Sequence, residues 1–310
     1  MSARSRSGKS APEPPPRRGL LSGMSAPPLD SMPRIRTSFT RGLAGTWSSP
    51  LIVGSLLVWL LGEWLVAVAL GYPGPFALLA HVSAPTPLST FTDLSLSTGI
   101  LGVRQGLLFV FVTAGVHALW FSLLVGLAIE TIESGSSTRW GAVRGLRAYP
   151  VVLALHVIGV AVVFAANIVA GLGGGGLAFI IQMAALVVTT WVFTFAPMIA
   201  VTEHRRLMDC LGRSIRAARM PGSGNLTFAA IYAVPIFATF LTPGLPGVLL
   251  DVNPPFSAWI YVVFMNLLHA AIVGAFAFRY LAVAEEVPEA PVRSAPSRER
   301  AGVRGARGRR

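Results

Sequence analysis

One cysteine, Cys210, stands in 310 residues. An internal disulfide is therefore excluded, and so is a CxxC metal pair. Lysine is almost missing: of 25 basic residues, all but Lys9 are arginine. Acids are scarce as well, 13 in all, which leaves a net charge of +12. Between Ala148 and Thr202 there is no Asp, Glu, Lys or Arg. A soluble core helix keeps a polar face, and so uniform a stretch cannot supply one. No GxSxG or HExxH motif occurs, no GK[ST] follows the glycine run at 171–176, and no carboxylates are spaced for acid–base work. Glu130 and Glu133 share a helical face and Glu203 adjoins His204, but helix termination and surface pairing account for both. The residues thus assign no catalytic group, no metal site and no cofactor, and the chain reads as a non-enzyme.

What the chain has is apolar length. Over half of its residues are hydrophobic, and several charge-free runs reach the ~20 residues that cross a bilayer. The fold class expected is all-α: a polytopic bundle of six spans with one or two cytoplasmic interfacial helices. The spans fall at about 50–72, 105–128, 149–170, 177–201, 225–241 and 256–281. The glycines from Gly171 to Gly176 divide the long uncharged stretch into a hairpin, because consecutive glycines disfavour helix. Pro197 should kink span four.

Arginine placement sets the orientation. Residues 130–148 and 202–222 carry arginines, whereas 76–103, 171–176 and 242–255 carry none. By the positive-inside rule the first group and both termini are cytoplasmic. Arg104, at the outer end of span two, fits least well and would snorkel to the outer headgroups. Residues 1–45, rich in Pro, Ser and Arg, and 286–310 bury too little apolar surface to fold and are expected to be disordered tails around a membrane domain at 46–285. No short apolar core with a small-residue cleavage site follows the N-terminus, so a removable signal peptide is not expected.

The stretch 203–219 has the clearest helical pattern. Leu207, Met208, Leu211, Ile215 and Ala218 fall on one arc, with Arg205, Arg206, Arg213, Arg216 and Arg219 opposite. Such a helix lies in the headgroup plane with its arginines on lipid phosphate. A juxtamembrane charge run that only fixes topology is the alternative. The candidate headgroup contacts are Arg144, Arg147, Arg205, Arg206, Arg213 and Arg216. Arginines gathered beside spans fit anionic lipid better than nucleic acid. Val143–Ala148 and Gly212–Ala217 share the pattern x-Arg-small-aliphatic-Arg-Ala, which suggests a parallel duplication of span, arginine helix and span.

Inside the spans, Glu63, His117 and His269 are expected near the midplane, and His156 nearer the cytoplasmic end. Charge at that depth is costly, so such groups either carry function or bond neighbouring helices. A carboxylate meeting two imidazoles could relay protons or hold a divalent metal.

The motif F-x-P at 195–197, the acid Glu203 and the pair Arg213-Ser214 resemble the membrane domain attached to some bacterial glycerophosphoryl diester phosphodiesterases, and related six-span membrane proteins. The resemblance covers about 105–285. It implies an all-helical bundle in the bacterial cytoplasmic membrane and carries over no catalytic residue. The soluble barrel that does the chemistry in those enzymes has no counterpart here. The leading expectation is a non-enzymatic scaffold that engages lipids, a protein partner or its own copies. The alternative is a transporter or channel using Glu63, His117 and His269.

Overall fold

The computed structural model describes residues 32–58, 115–173, 175–220, 224–227 and 256–288. All regular structure among them is helical. The helices are α1 (Ile35–Trp47), α2 (50–58), α3 (Gly115–Ser134), α4 (Arg139–Gly173), α5 (Gly175–Phe193), α6 (Ala196–Glu203), α7 (Leu207–Ala218) and α8 (Phe256–Leu281). Two of them, α3 and α4, are long and apolar enough to cross a membrane.

Two helix crossings bring backbone against backbone. At the first, a Cβ added to Gly126 would lie 2.2 Å from the Gly141 carbonyl oxygen, and one added to Gly145 would lie 2.2 Å from that of Ser122. Only the missing side chains let α3 and α4 approach so closely, as small residues do wherever helices touch. At the second, a Cβ on Gly42 would meet the Ala275 nitrogen at 2.3 Å. There α1 runs antiparallel to α8: Ser38 contacts Arg279, Gly42 faces Ala271 and Ala275, and Thr46 donates to the Ala270 carbonyl at 3.3 Å.

Several expectations are corrected. The disordered tail expected through residue 45 gives way to an ordered helix from Ile35, because the small face of α1 fits α8. Residues 286–288 likewise belong to the folded part, with Val287 buried. The polar loop expected over 130–148 shrinks to 135–138: Gly135, at φ 84°, ends α3, and Arg139 already opens α4. The first arginine copy is therefore the start of a 35-residue helix and not a separate interfacial one. Span four is broken rather than kinked. Pro197 lacks the N–H and crowds the carbonyl of the preceding turn, so α5 stops at Phe193 and α6 restarts at Ala196. Other expectations agree in part: α8 is a helix over the residues expected for the sixth span, and α4 and α5, which pack on each other, meet within the glycine run, although Gly171–Gly173 and Gly175–Gly176 are themselves helical. Span five, apart from 224–227, lies outside the described residues.

Burial is distributed unevenly along the helices. The Ala270–Tyr280 part of α8 is buried on every side, as is nearly all of α6. Yet Val157, Phe164 and Ile168 of α4, Leu177 and Ile180 of α5, and Phe256, Ile260 and Phe264 of α8 are exposed. Packed core and exposed apolar surface thus occupy different lengths of the same helices.

Candidate functional site

The packed region contains a network of arginines and carboxylates built on helix ends. Its centre is Arg213 on α7, only 5% exposed. Its Nε donates to Glu203 at 2.8 Å and to the Tyr280 hydroxyl at 3.2 Å. Its Nη atoms donate to the carbonyls of Val287 at 3.0 Å and Ala284 at 2.6 Å. Tyr280 in turn donates to Glu203, and Arg205 holds the other carboxylate oxygen at 2.5 Å. Arg216, one turn on, donates to the Pro288 carbonyl at 2.6 Å. Burial opposes the Arg213 charge, but the contacts with Tyr280 and Glu203 outweigh it and hold the guanidinium above its ordinary pKa. The α7 arginines therefore fasten the turn that follows α8.

Ser214 closes the break between α5 and α6. Its hydroxyl donates to the Val192 carbonyl at 2.7 Å and accepts from the Phe195 N–H at 3.2 Å. Both groups lost their helical partners at the break, and each would cost about 1–3 kcal/mol if left unmet. The F-x-P motif, Glu203, Arg213 and Ser214 are thus one interlocked unit. Cys210, on the same buried face, has its thiol pushed up to about 11, mainly by burial and then by Glu203 and Asp209.

A second clasp repeats the first. Arg144 donates from Nη1 to Glu133 at 2.6 Å and from Nε to the Val201 carbonyl at 3.2 Å, near the end of α6. Glu130 accepts from the Thr138 N–H at 2.7 Å and the Gly141 N–H at 2.8 Å, capping the start of α4. Both copies use an arginine that pairs with a carboxylate at the end of the preceding helix and reaches the carbonyls closing a later one. The two sets of contacts thus run parallel at the two copies of the six-residue echo.

A third arginine, Arg279, is fully buried. It donates to the Pro33 carbonyl, to Asn225 Oδ1 at 3.1 Å and to the Ser38 hydroxyl at 3.4 Å, joining α8 to α1. Neither Arg279 nor Tyr280 was singled out from the sequence. A lone arginine closing an apolar helix was the available signal for the first; nothing marks the second.

The headgroup expectation is corrected for Arg213, which is buried among protein acceptors. Arg144, Arg205 and Arg216 also bond protein groups, while Arg147 and Arg206 are exposed. On α7 the side expected to meet lipid phosphate turns inward with Arg213 and Ser214, and Met208 from the apolar arc is 73% exposed. His117 and His156 are buried; His156 Nδ1 lies 3.1 Å from the Val152 carbonyl, and its ring meets Phe121 edge-on. Glu63 and the side chain of His269 lie outside the described residues, and with them the question whether Glu63, His117 and His269 meet. Among the described residues no cluster of three His, Cys, Asp or Glu could hold a metal.

The fold and its clasps define an all-α protein with two helices able to cross a membrane. Comparison with protein-family models, curated proteins and solved structures finds no match.

Proposed function

We propose that this chain is a six-span integral protein of the bacterial cytoplasmic membrane, with both termini inside, acting as a non-enzymatic scaffold. Its spans anchor it, and the arginine–carboxylate network forms a rigid platform at the cytoplasmic end. The observation that carries this reading is α4. Its span-length window is the more apolar of the two, yet only 31% of it is buried, against 72% for α3. A helix buried in a soluble core would show the reverse. Val157, Phe164, Ile168, Val169, Leu177, Ile180, Val188, Phe256, Ile260 and Phe264 are all exposed. At about 1 kcal/mol for each half-exposed side chain, leaving them in water would cost on the order of 10 kcal/mol. That rivals the ~5–15 kcal/mol net stability of a typical domain. Lipid removes the cost. Kinship with the membrane domain of glycerophosphoryl diester phosphodiesterases is proposed on the interlocked residues 195–197, Glu203, Arg213 and Ser214.

Alkaline carbonate extraction of membranes tests the embedding: the protein stays in the pellet, and its release would overturn the reading. Impermeant maleimide tests orientation. A cysteine at Ser89 should label in intact cells and one at Ser136 only after lysis; the opposite pattern overturns the sidedness. A Glu63-dependent ion or solute flux in proteoliposomes would replace the scaffold with a transporter.

A further inference from the structure

We infer that the first turns of α4, and not the amphipathic α7, form the surface that binds anionic lipid headgroups. The inference rests on the proposed membrane placement and assigns the lipid chemistry and the residues within it.

Each arginine segment turns one arginine inward and exposes two, Arg206 and Arg219 beside α7 and Arg139 and Arg147 on α4. On α7 the deepest arginine, Arg213, is buried under the turn 284–287. On α4, Arg139 and Arg147 are exposed while Arg144 turns inward to Glu133. Two observations favour α4. First, the exposed arginines of α4 share their surface with large apolar side chains, Trp140 at 62% and Leu146 at 51% exposure. The Arg139 guanidinium stacks on the Trp140 ring, 5.3 Å from its centroid. Tryptophan beside arginine suits the headgroup layer, where an amphipathic ring and a cation both find partners. Second, this surface continues along the same helix into the exposed apolar face of Val157, Phe164 and Ile168. After Arg147, α4 carries no further charge to its end at Gly173. Those 26 positions rise about 39 Å, enough to cross the ~30 Å hydrocarbon layer. Once that part is in lipid, residues 139–147 stand at the headgroups, facing phosphates with two arginines.

The opening N–H groups of α4 are not the feature that binds, since Glu130 and Thr138 already occupy them. The ligand is the phosphate of an anionic phospholipid, such as phosphatidylglycerol, held in the bilayer that contains the helix.

The test uses the full chain in nanodiscs of phosphatidylcholine with increasing phosphatidylglycerol, reading the lipid retained on detergent extraction by mass spectrometry. The unaltered chain should retain phosphatidylglycerol above its share of the bilayer. R139A and R147A should each reduce that enrichment about fivefold, R147K should restore it, and R206A on the other segment should leave it unchanged. Enrichment unaffected by R139A/R147A, or lost equally with R206A, overturns the assignment. Soluble phosphate displacing the lipid at millimolar concentration would also overturn it, since the site would then be a free-anion site. A chain that never enters nanodiscs defeats the membrane reading itself, a result distinct from absent lipid preference.

Discussion

Arg213 joins three stretches of chain that lie far apart in sequence: the end of α6 at Glu203, the body of α8 at Tyr280 and the turn at 284–287. Removing one partner of a buried pair strands the other charge and costs about 3–5 kcal/mol. Arg213→Met should fall near the lower end, because Arg205 remains on Glu203. Arg213→Lys should recover only part of the loss, since an ammonium cannot reach the carboxylate and both carbonyls as a planar fork does. Thermal unfolding in detergent orders the three proteins. Cys210 offers a chemical check on the same face. With its thiol raised from 9.0 to about 11, it is protonated and enclosed at pH 7, so maleimide should label it only after denaturation. The raised value also means that its contribution to stability is whole below pH 9 and fades as pH climbs towards 11. The sequence marked Glu203, Arg213 and Ser214 as a group but misread which way they face. A wheel separates apolar from charged sides; it cannot see that the acceptors for Arg213 lie some 70 positions downstream.

Elements meet where glycine permits. Gly145 has the Ser122 carbonyl where its side chain would be, so Gly145→Leu should force α3 and α4 apart and abolish a cooperative melt. Gly54 is the control: a Cβ there meets nothing within 4 Å. Gly54→Ala in a helix should be neutral or stabilise by about 0.5–1 kcal/mol. Circular dichroism melts of the two variants would separate a contact requirement from a general sensitivity to glycine loss. Hydropathy located α8 well, because long apolar runs act locally. It missed α1, whose worth lies in a face of Ser38, Gly42 and Thr46 shaped for α8. Small residues read as loop until their partner is known.

At the scale of the molecule the arginines hand the chain from one helix end to the next. Arg144 reaches the end of α6, Arg213 and Arg216 reach the turn after α8, and Arg279 reaches the start of α1. A chain ending at Leu281 lacks the Ala284, Val287 and Pro288 carbonyls, whereas one ending at residue 290 keeps them. With charged hydrogen bonds worth about 1.5–3 kcal/mol each, the shorter chain should lose several kcal/mol and the longer almost nothing. Detergent-solubilised melting temperatures of both truncations read the difference directly. Equal melting would mean that these clasps do not hold the fold together.

The pairing of α1 with α8 also governs timing. Residues 35–47 leave the ribosome long before 270–280, yet each is the other's packing surface. Arg213 likewise waits for carbonyls translated about seventy residues later. During synthesis the nascent chain must therefore keep Gly42 and Arg213 without their final neighbours. Only when the 282–288 turn emerges can the Arg213 and Arg216 part of the network close. A protease that attacks unfinished chains would find its substrate throughout translation and lose it at that step.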